Sequence, residues 1–189
     1  EESPEQAYRN CARALAETGC AAVKLEGGER SAAAIEFIVQ AGIPVVGHVG
    51  LTPQSVNTLG GFRVQGRGDA GAEQLINDAR AVEQAGAFCV VLEMVPAELA
   101  AEVTAALNVP TIGIGAGAEC DGQVLVANDL LGLDTSFKPR FVRRFAELES
   151  PIVGAVKDYV AAVKDGSFPA AEHSFRRKRR GPAKVTRLY

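Results

Sequence analysis

Four stretches of the chain repeat one rhythm: a helical apolar stripe, a small-residue break, then a short, nearly unbroken apolar run. They are ETGCAAVKLE, VQAGIPVVGH, EQAGAFCVVLE and ALNVPTIGIG. In the first three, Gly19, Gly42 and Gly86 stand where a helix must stop, the position that favours positive φ. Asn108 and Pro110 take that part in the fourth. The first helix opens on Ser3-Pro4-Glu5-Gln6, a capping-box-like start with Pro in the first turn. Ala7, Cys11 and Leu15 follow at i+4 spacing. Three further helices are predicted: Ser31–Gln40, with Ile35, Phe37, Ile38 and Val39 for a core face; Ala72–Ala85, with Leu75, Ile76, Ala79 and Val82; and Ala97–Leu107, with Leu99, Val103 and Leu107. The run Phe88 to Leu92 predicts a strand buried on both faces.

Strands that alternate with helices and are apolar throughout imply parallel pairing with right-handed crossovers. A doubly wound open sheet and a (β/α)8 barrel both satisfy that pattern. The polar groups at the strand ends favour the barrel. Glu26, His48 and Glu93 occupy one phase of successive repeats, each at the carboxyl end of its strand, and in a barrel those ends share one mouth. Only four clear units are present, with GQVLVAND (Gly122 to Asp129) as a weak fifth strand, whereas a closed barrel has eight. Two expectations follow: a half-barrel, or a barrel lacking about three strands ahead of Glu1. The chain opens on EESPEQ rather than Met and starts directly at a helix, which suggests a piece of something longer.

Three places carry candidate chemistry. In VKLEGGE, Lys24 and Glu26 lie two apart on one strand and so face the same side. Such a pair can hold an anionic substrate and a metal ion; the plain alternative is a structural ion pair. Gly27 and Gly28 allow a ligand or backbone to come close. In GHVGLTPQSVNTLGGFRVQGRG (Gly47 to Gly68), His48 closes a strand. Thr52-Pro53-Gln54 reads as a turn into a short helix, and Gly50, Gly60, Gly61, Gly66 and Gly68 make a long loop suited to a lid or a phosphate-facing element. A buried His is often only a hydrogen-bonded core residue, but the phase it shares with two acids makes it a site candidate. Glu93 ends a buried strand, where an unpaired charge is costly. It has three readings: metal ligand, ion-pair partner or general base. The base is favoured, because an apolar setting raises a carboxyl pKa toward neutrality. No Walker A spacing occurs. IGIGAG (Ile112 to Gly117) lacks the helix that a dinucleotide fingerprint needs, so close packing at a barrel mouth is expected instead.

Composition narrows the picture little, at 47% hydrophobic and 23% charged residues over 189. No apolar run approaches the roughly 18 residues of a membrane span, and no signal peptide is expected ahead of the first helix. The four cysteines (Cys11, Cys20, Cys89, Cys120) show no CxxC or zinc spacing, so reduced, mostly buried thiols and a cytoplasmic setting are expected. The net charge of −3 is uneven. Seven of the 20 basic residues and no acid fall in the tail Arg176–Tyr189, leaving 13 against 23 acids before it, a balance of −10. An acidic body argues against nucleic-acid binding, and the basic tail is expected to be a solvated extension.

At VKLEGGE, GHVGLTPQSVNTLGGFRVQGRG, LEMVPAELA, VPTIGIGAGAECDGQVLV and FPAAEHSF the chain resembles the ketopantoate hydroxymethyltransferase family, from about Ala7 to Phe175. The resemblance implies a (β/α)8 TIM barrel of the phosphoenolpyruvate-binding type, lacking about the first three strands here. It implies a partial barrel catalytic domain over residues 1–175 and assembly as a homodecamer; the basic tail over 176–189 lies outside the family pattern. The implied reaction moves a one-carbon unit from 5,10-methylenetetrahydrofolate to 3-methyl-2-oxobutanoate, giving 2-dehydropantoate. By the same resemblance Glu93 is the proton acceptor, Lys24 contacts the keto acid, and Glu26 is one ligand of Mg²⁺. The family's other two metal ligands are aspartates on strands this chain does not contain. His48 is expected to orient substrate. Two alternatives stand beside this: a Schiff-base aldolase using Lys24, and a non-catalytic remnant or assembly subunit.

Overall fold

The structure, a computed structural model, describes residues 3–134, 136 and 138–177. It divides into two compact units, Glu1–Val126 with Pro139–Arg143, and Ala127–Lys138 with Arg144–Tyr189.

The first unit alternates helix and strand: α1 (Pro4–Thr18), β1 (Val23–Glu26), α2 (Glu29–Gln40), β2 (Val45–Gly50), α3 (Asp69–Gln84), β3 (Cys89–Glu93), α4 (Ala97–Ala106), β4 (Thr111–Ile114) and β5 (Gly122–Gln123). A single 3₁₀ turn, Pro53–Ser55, follows β2. All five strands are parallel and lie in chain order, β1-β2-β3-β4-β5. A doubly wound sheet reverses its strand order at a switch point. This sheet does not. The helices form one layer, α1 against α2, α2 against α3 and α3 against α4. A singly wound parallel sheet with all its helices on one side is an arc of the barrel type.

The local causes are plain. Ser3 Oγ accepts the Gln6 N–H at 3.2 Å, capping α1 with Pro4 in its first turn. Gly19, Gly42 and Gly86 end their helices at φ 71°, 90° and 94°, as the break pattern requires. Alternation then divides the strands. Val45, Val49, Val90 and Leu92 enter the core with Ile35, Ile38, Leu75, Val82, Leu99 and Val103 from the helices. Gly47 is needed where β2 meets α3: a Cβ there would lie 2.8 Å from Val82 Cγ2.

Several expectations need correction. Phe37 is not in the core. It is 39% exposed and meets Tyr8 edge-on at 5.9 Å, because α1 covers only part of that face. Phe88 precedes β3 and is half-exposed. The fifth strand is two residues long, and Val124 and Val126 beyond it are exposed. Cys20 is exposed, whereas Cys11 and Cys89 are buried; none of the four cysteines forms a disulfide.

In the second unit α5 (Ala127–Leu131) is followed by α6 (Glu149–Asp165). The Phe145, Leu148 and Glu149 amides donate to the carbonyls of Leu130, Leu131 and Gly132. Tyr159 on α6 meets Phe168 edge-on at 5.6 Å. The basic tail lies outside the described residues from position 178 onward.

Candidate active site

The residues that point away from the helix layer are Lys24 and Glu26 on β1, Val46 and His48 on β2, and Cys89, Val91 and Glu93 on β3. Strand register orders them in rows. Glu26 stands beside His48, and His48 beside Val91, whereas Glu93 lies one row higher, beside Gly50. All four residues singled out by the sequence therefore share one face and one end of the sheet.

His48 is their hub, with only 1% of its surface exposed. Its Nδ1 is 3.0 Å from Lys24 Nζ and 3.8 Å from Glu26 Oε1. Its Nε2 is 3.1 Å from Glu93 Oε2, but the carboxylate stands off the ring's N–H axis, so Nε2 has no aligned hydrogen bond. Glu93 thus faces a buried imidazole, not the apolar pocket expected for it. Its side chain keeps 18% exposure and that of Glu26 10%, so both carboxylates can still be reached.

The surrounding turns hold these groups in place. Glu26 Oε2 accepts the Gln54 N–H at 3.0 Å, and Arg30 Nη2 donates to Ser55 Oγ at 2.5 Å. The 3₁₀ turn is therefore tied to both ends of the β1–α2 connection. The Gly27 amide donates to the His48 carbonyl at 2.9 Å. Gly28 is close-packed, but against the protein and not a ligand: a Cβ there would fall 1.8 Å from Asp78 Oδ1. That carboxylate accepts the Glu29 N–H at 2.8 Å. It caps α2, which has no side-chain cap of its own, and places a negative charge at a helix N-terminus.

Around Glu93 the glycine-rich loop closes at two points. The Leu51 amide donates to the Glu93 carbonyl at 2.8 Å, and the Gln65 amide to the Met94 carbonyl at 2.9 Å. Gly50 has φ 91°, and a Cβ on it would lie 2.3 Å from the Glu93 carbonyl oxygen. Met94 is itself left-handed at φ 48°, with its amide donating to the Ile114 carbonyl at 2.9 Å. For a residue with a side chain that conformation costs roughly 1–2 kcal/mol.

Sequence reasoning found Glu26, His48 and Glu93 through their shared phase, and Lys24 through its two-residue spacing from Glu26. It missed Asp78, Gln54, Arg30 and Met94. The Gly27-Gly28 pair was the one local sign of Asp78, and nothing in the sequence marks Met94 as left-handed.

A groove of about 730 Å³ runs beside β1, lined by Lys24, Glu26, Arg30 and Gln54 and also by Cys11, Val23 and Leu25; His48 and Glu93 do not line it. That volume is in the range of small-molecule sites. It offers cations (Lys24, Arg30) and one carboxylate (Glu26). Among the described residues no group of three or more His, Cys, Asp or Glu is arranged to hold a metal ion. Glu26 can donate one oxygen to a hard cation, but Mg²⁺ takes an octahedral set. The donors present do not make a Mg²⁺ site by themselves.

The family model for ketopantoate hydroxymethyltransferase matches residues 1–171. A 3-methyl-2-oxobutanoate hydroxymethyltransferase of Ruegeria sp. (strain TM1040) is 61% identical over 175 residues, 93% of this chain and 62% of the relative. Its counterpart in Paracoccus denitrificans (strain Pd 1222) is 58% identical over 93% of this chain and 63% of the relative. The chain therefore spans a little over three fifths of the length of these curated relatives. A solved structure described as a lyase/mutase of Burkholderia cenocepacia J2315 overlays 89% of this chain and 59% of its own at TM-score 0.44 and 16% identity, too distant to bear on the site. With the family match running from the first helix past α6, the chain belongs to the ketopantoate hydroxymethyltransferase family.

Proposed function

We propose that this chain carries the proton-accepting part of a site that transfers a hydroxymethyl group from 5,10-methylenetetrahydrofolate to 3-methyl-2-oxobutanoate, giving 2-dehydropantoate for pantothenate synthesis. The observation that carries the reading is the convergence of Lys24, Glu26 and Glu93 on one buried imidazole at the carboxyl end of a parallel sheet. Lys24 holds the keto acid through its charge and steadies the oxyanion that forms when the neighbouring carbon loses a proton. Glu93 takes that proton. The resulting enolate forms a C–C bond to the folate methylene carbon. A water molecule supplies the hydroxyl oxygen, and the folate nitrogens recover the bonding electrons and protons. Mg²⁺, when bound, would act as a Lewis acid on the ketone, with Glu26 as one ligand and the rest supplied from beyond this chain. A homodecamer, a cytoplasmic location and residues 1–175 as one stretch of a catalytic barrel belong to the same reading. Among the described residues no helix is long and apolar enough to cross a membrane.

The test compares this chain with a fusion that adds the part of the Ruegeria relative its match does not span. The chain alone is expected to show no significant turnover, and the fusion to restore it. In the fusion, Glu93→Gln should lower kcat by about 10²–10⁴. Undiminished turnover by that variant overturns the assignment. Borohydride trapping with the keto acid should leave Lys24 unmodified; a Lys24 adduct would establish the Schiff-base aldolase instead. Calorimetry that detects no keto acid binding to the fusion would leave the assembly-subunit reading.

A further inference from the structure

The mechanism above leaves His48 without a task, although it is the most deeply buried polar group of the site. An imidazole in its neutral form has one N–H and one bare nitrogen, and which is which depends on its neighbours. On the Nδ1 side two groups compete. Lys24 Nζ, at 3.0 Å, can only donate, and so requires a bare Nδ1. Glu26 Oε1 can only accept, and would favour a proton on Nδ1, but at 3.8 Å it is beyond hydrogen-bond distance. The other oxygen of Glu26 is already engaged by the Gln54 amide. Distance decides for Lys24. The proton then sits on Nε2, whose nearest acceptor is Glu93 Oε2 at 3.1 Å. The Glu93 side chain keeps 18% exposure, and a turn of its carboxylate would bring Oε2 onto the N–H axis.

We propose that Lys24 fixes His48 with its proton on Nε2, making His48 a positioning residue that presents an N–H to the Glu93 carboxylate. Lys24 thereby serves Glu93 through the ring as well as any substrate directly. The tautomer stands independently of the proposed function; its meaning for turnover rests on Glu93 as proton acceptor.

The sequence contains two histidines, His48 and His173. In ¹⁵N-labelled chain, long-range ¹H–¹⁵N correlations of the imidazoles report each tautomer directly, and His173→Gln assigns the two rings. In mildly alkaline buffer, where a free imidazole is neutral, His48 is expected to show a protonated Nε2 and a bare Nδ1. Lys24→Met should shift the proton toward Nδ1 or mix the two forms, and Lys24→Arg should keep it on Nε2. A proton on Nδ1 in the unsubstituted chain, a doubly protonated ring, or a tautomer indifferent to Lys24→Met in a variant with native circular dichroism overturns the proposal. In the active fusion, His48→Gln keeps an N–H donor near the Nε2 position and His48→Asn does not. The former should retain about tenfold more kcat, the worth of a hydrogen bond to a charged group. Equal loss in both variants refutes the positioning role. Loss of the Gln/Asn difference together with an active Glu93→Gln variant would instead locate the failure in the proposed function, since the tautomer is read without turnover.

Discussion

At Gly28, with φ −102° and ψ −121°, an added Cβ would run into the Asp78 carboxylate. Adding a methyl group there must displace the carboxylate that caps α2. Gly28→Ala is therefore expected to destabilise the fold by more than the roughly 1 kcal/mol worth of a helix cap. Asp78→Ala should cost about that cap on its own. In the Asp78→Ala background the glycine substitution should be far cheaper, with a coupling of about 0.5–3 kcal/mol in a urea double-mutant cycle. Simple additivity would refute the clash. This pair shows where sequence reading stops. The four site residues announce themselves by phase within their own repeats, a local regularity. Asp78 meets Glu29 from 49 positions away, and a chain read in windows registers that contact only as an otherwise unexplained glycine.

At the scale of elements, the helix ends and strand phases were legible because each is set within a few residues. A helix terminates at a left-handed glycine, and a strand hides every second side chain. The exposed rings of Phe37 and Phe88, and the two-residue β5, were not legible, because what covers an apolar residue depends on the neighbouring element. The interface between α3 and β2 depends on that partner in turn. Val82 is fully buried, and its branched side chain fills the space left by Gly47. Val82→Ala should lower the unfolding free energy by about 2 kcal/mol, from two lost methyl groups and the cavity they leave. A shift of denaturant midpoint with unchanged slope is the expected signature. An unchanged midpoint would mean that α3 is free to collapse onto β2.

For the molecule as a whole, one titration is tied to the fold. Burial holds the Cys89 thiol above its ordinary pKa, partly offset by the Val90 amide, with a lesser upward push from Asp121. The unfolded chain ionises this group first on raising the pH. Its contribution is complete below the ordinary thiol pKa and is lost as pH rises toward the elevated value in the fold. Denaturant midpoints should fall in alkaline buffer, and Cys89→Ala should flatten that limb; an unaltered limb would assign the loss to other groups. A mechanical relation also follows from the left-handed Met94. Its carbonyl is held by Gln65 of the glycine-rich loop, its amide by Ile114, and it is covalently next to Glu93, whose own carbonyl holds Leu51. The loop thus holds two successive peptide units, one on each side of the Met94 Cα, so any displacement of that loop is carried to the backbone next to the Glu93 carboxylate.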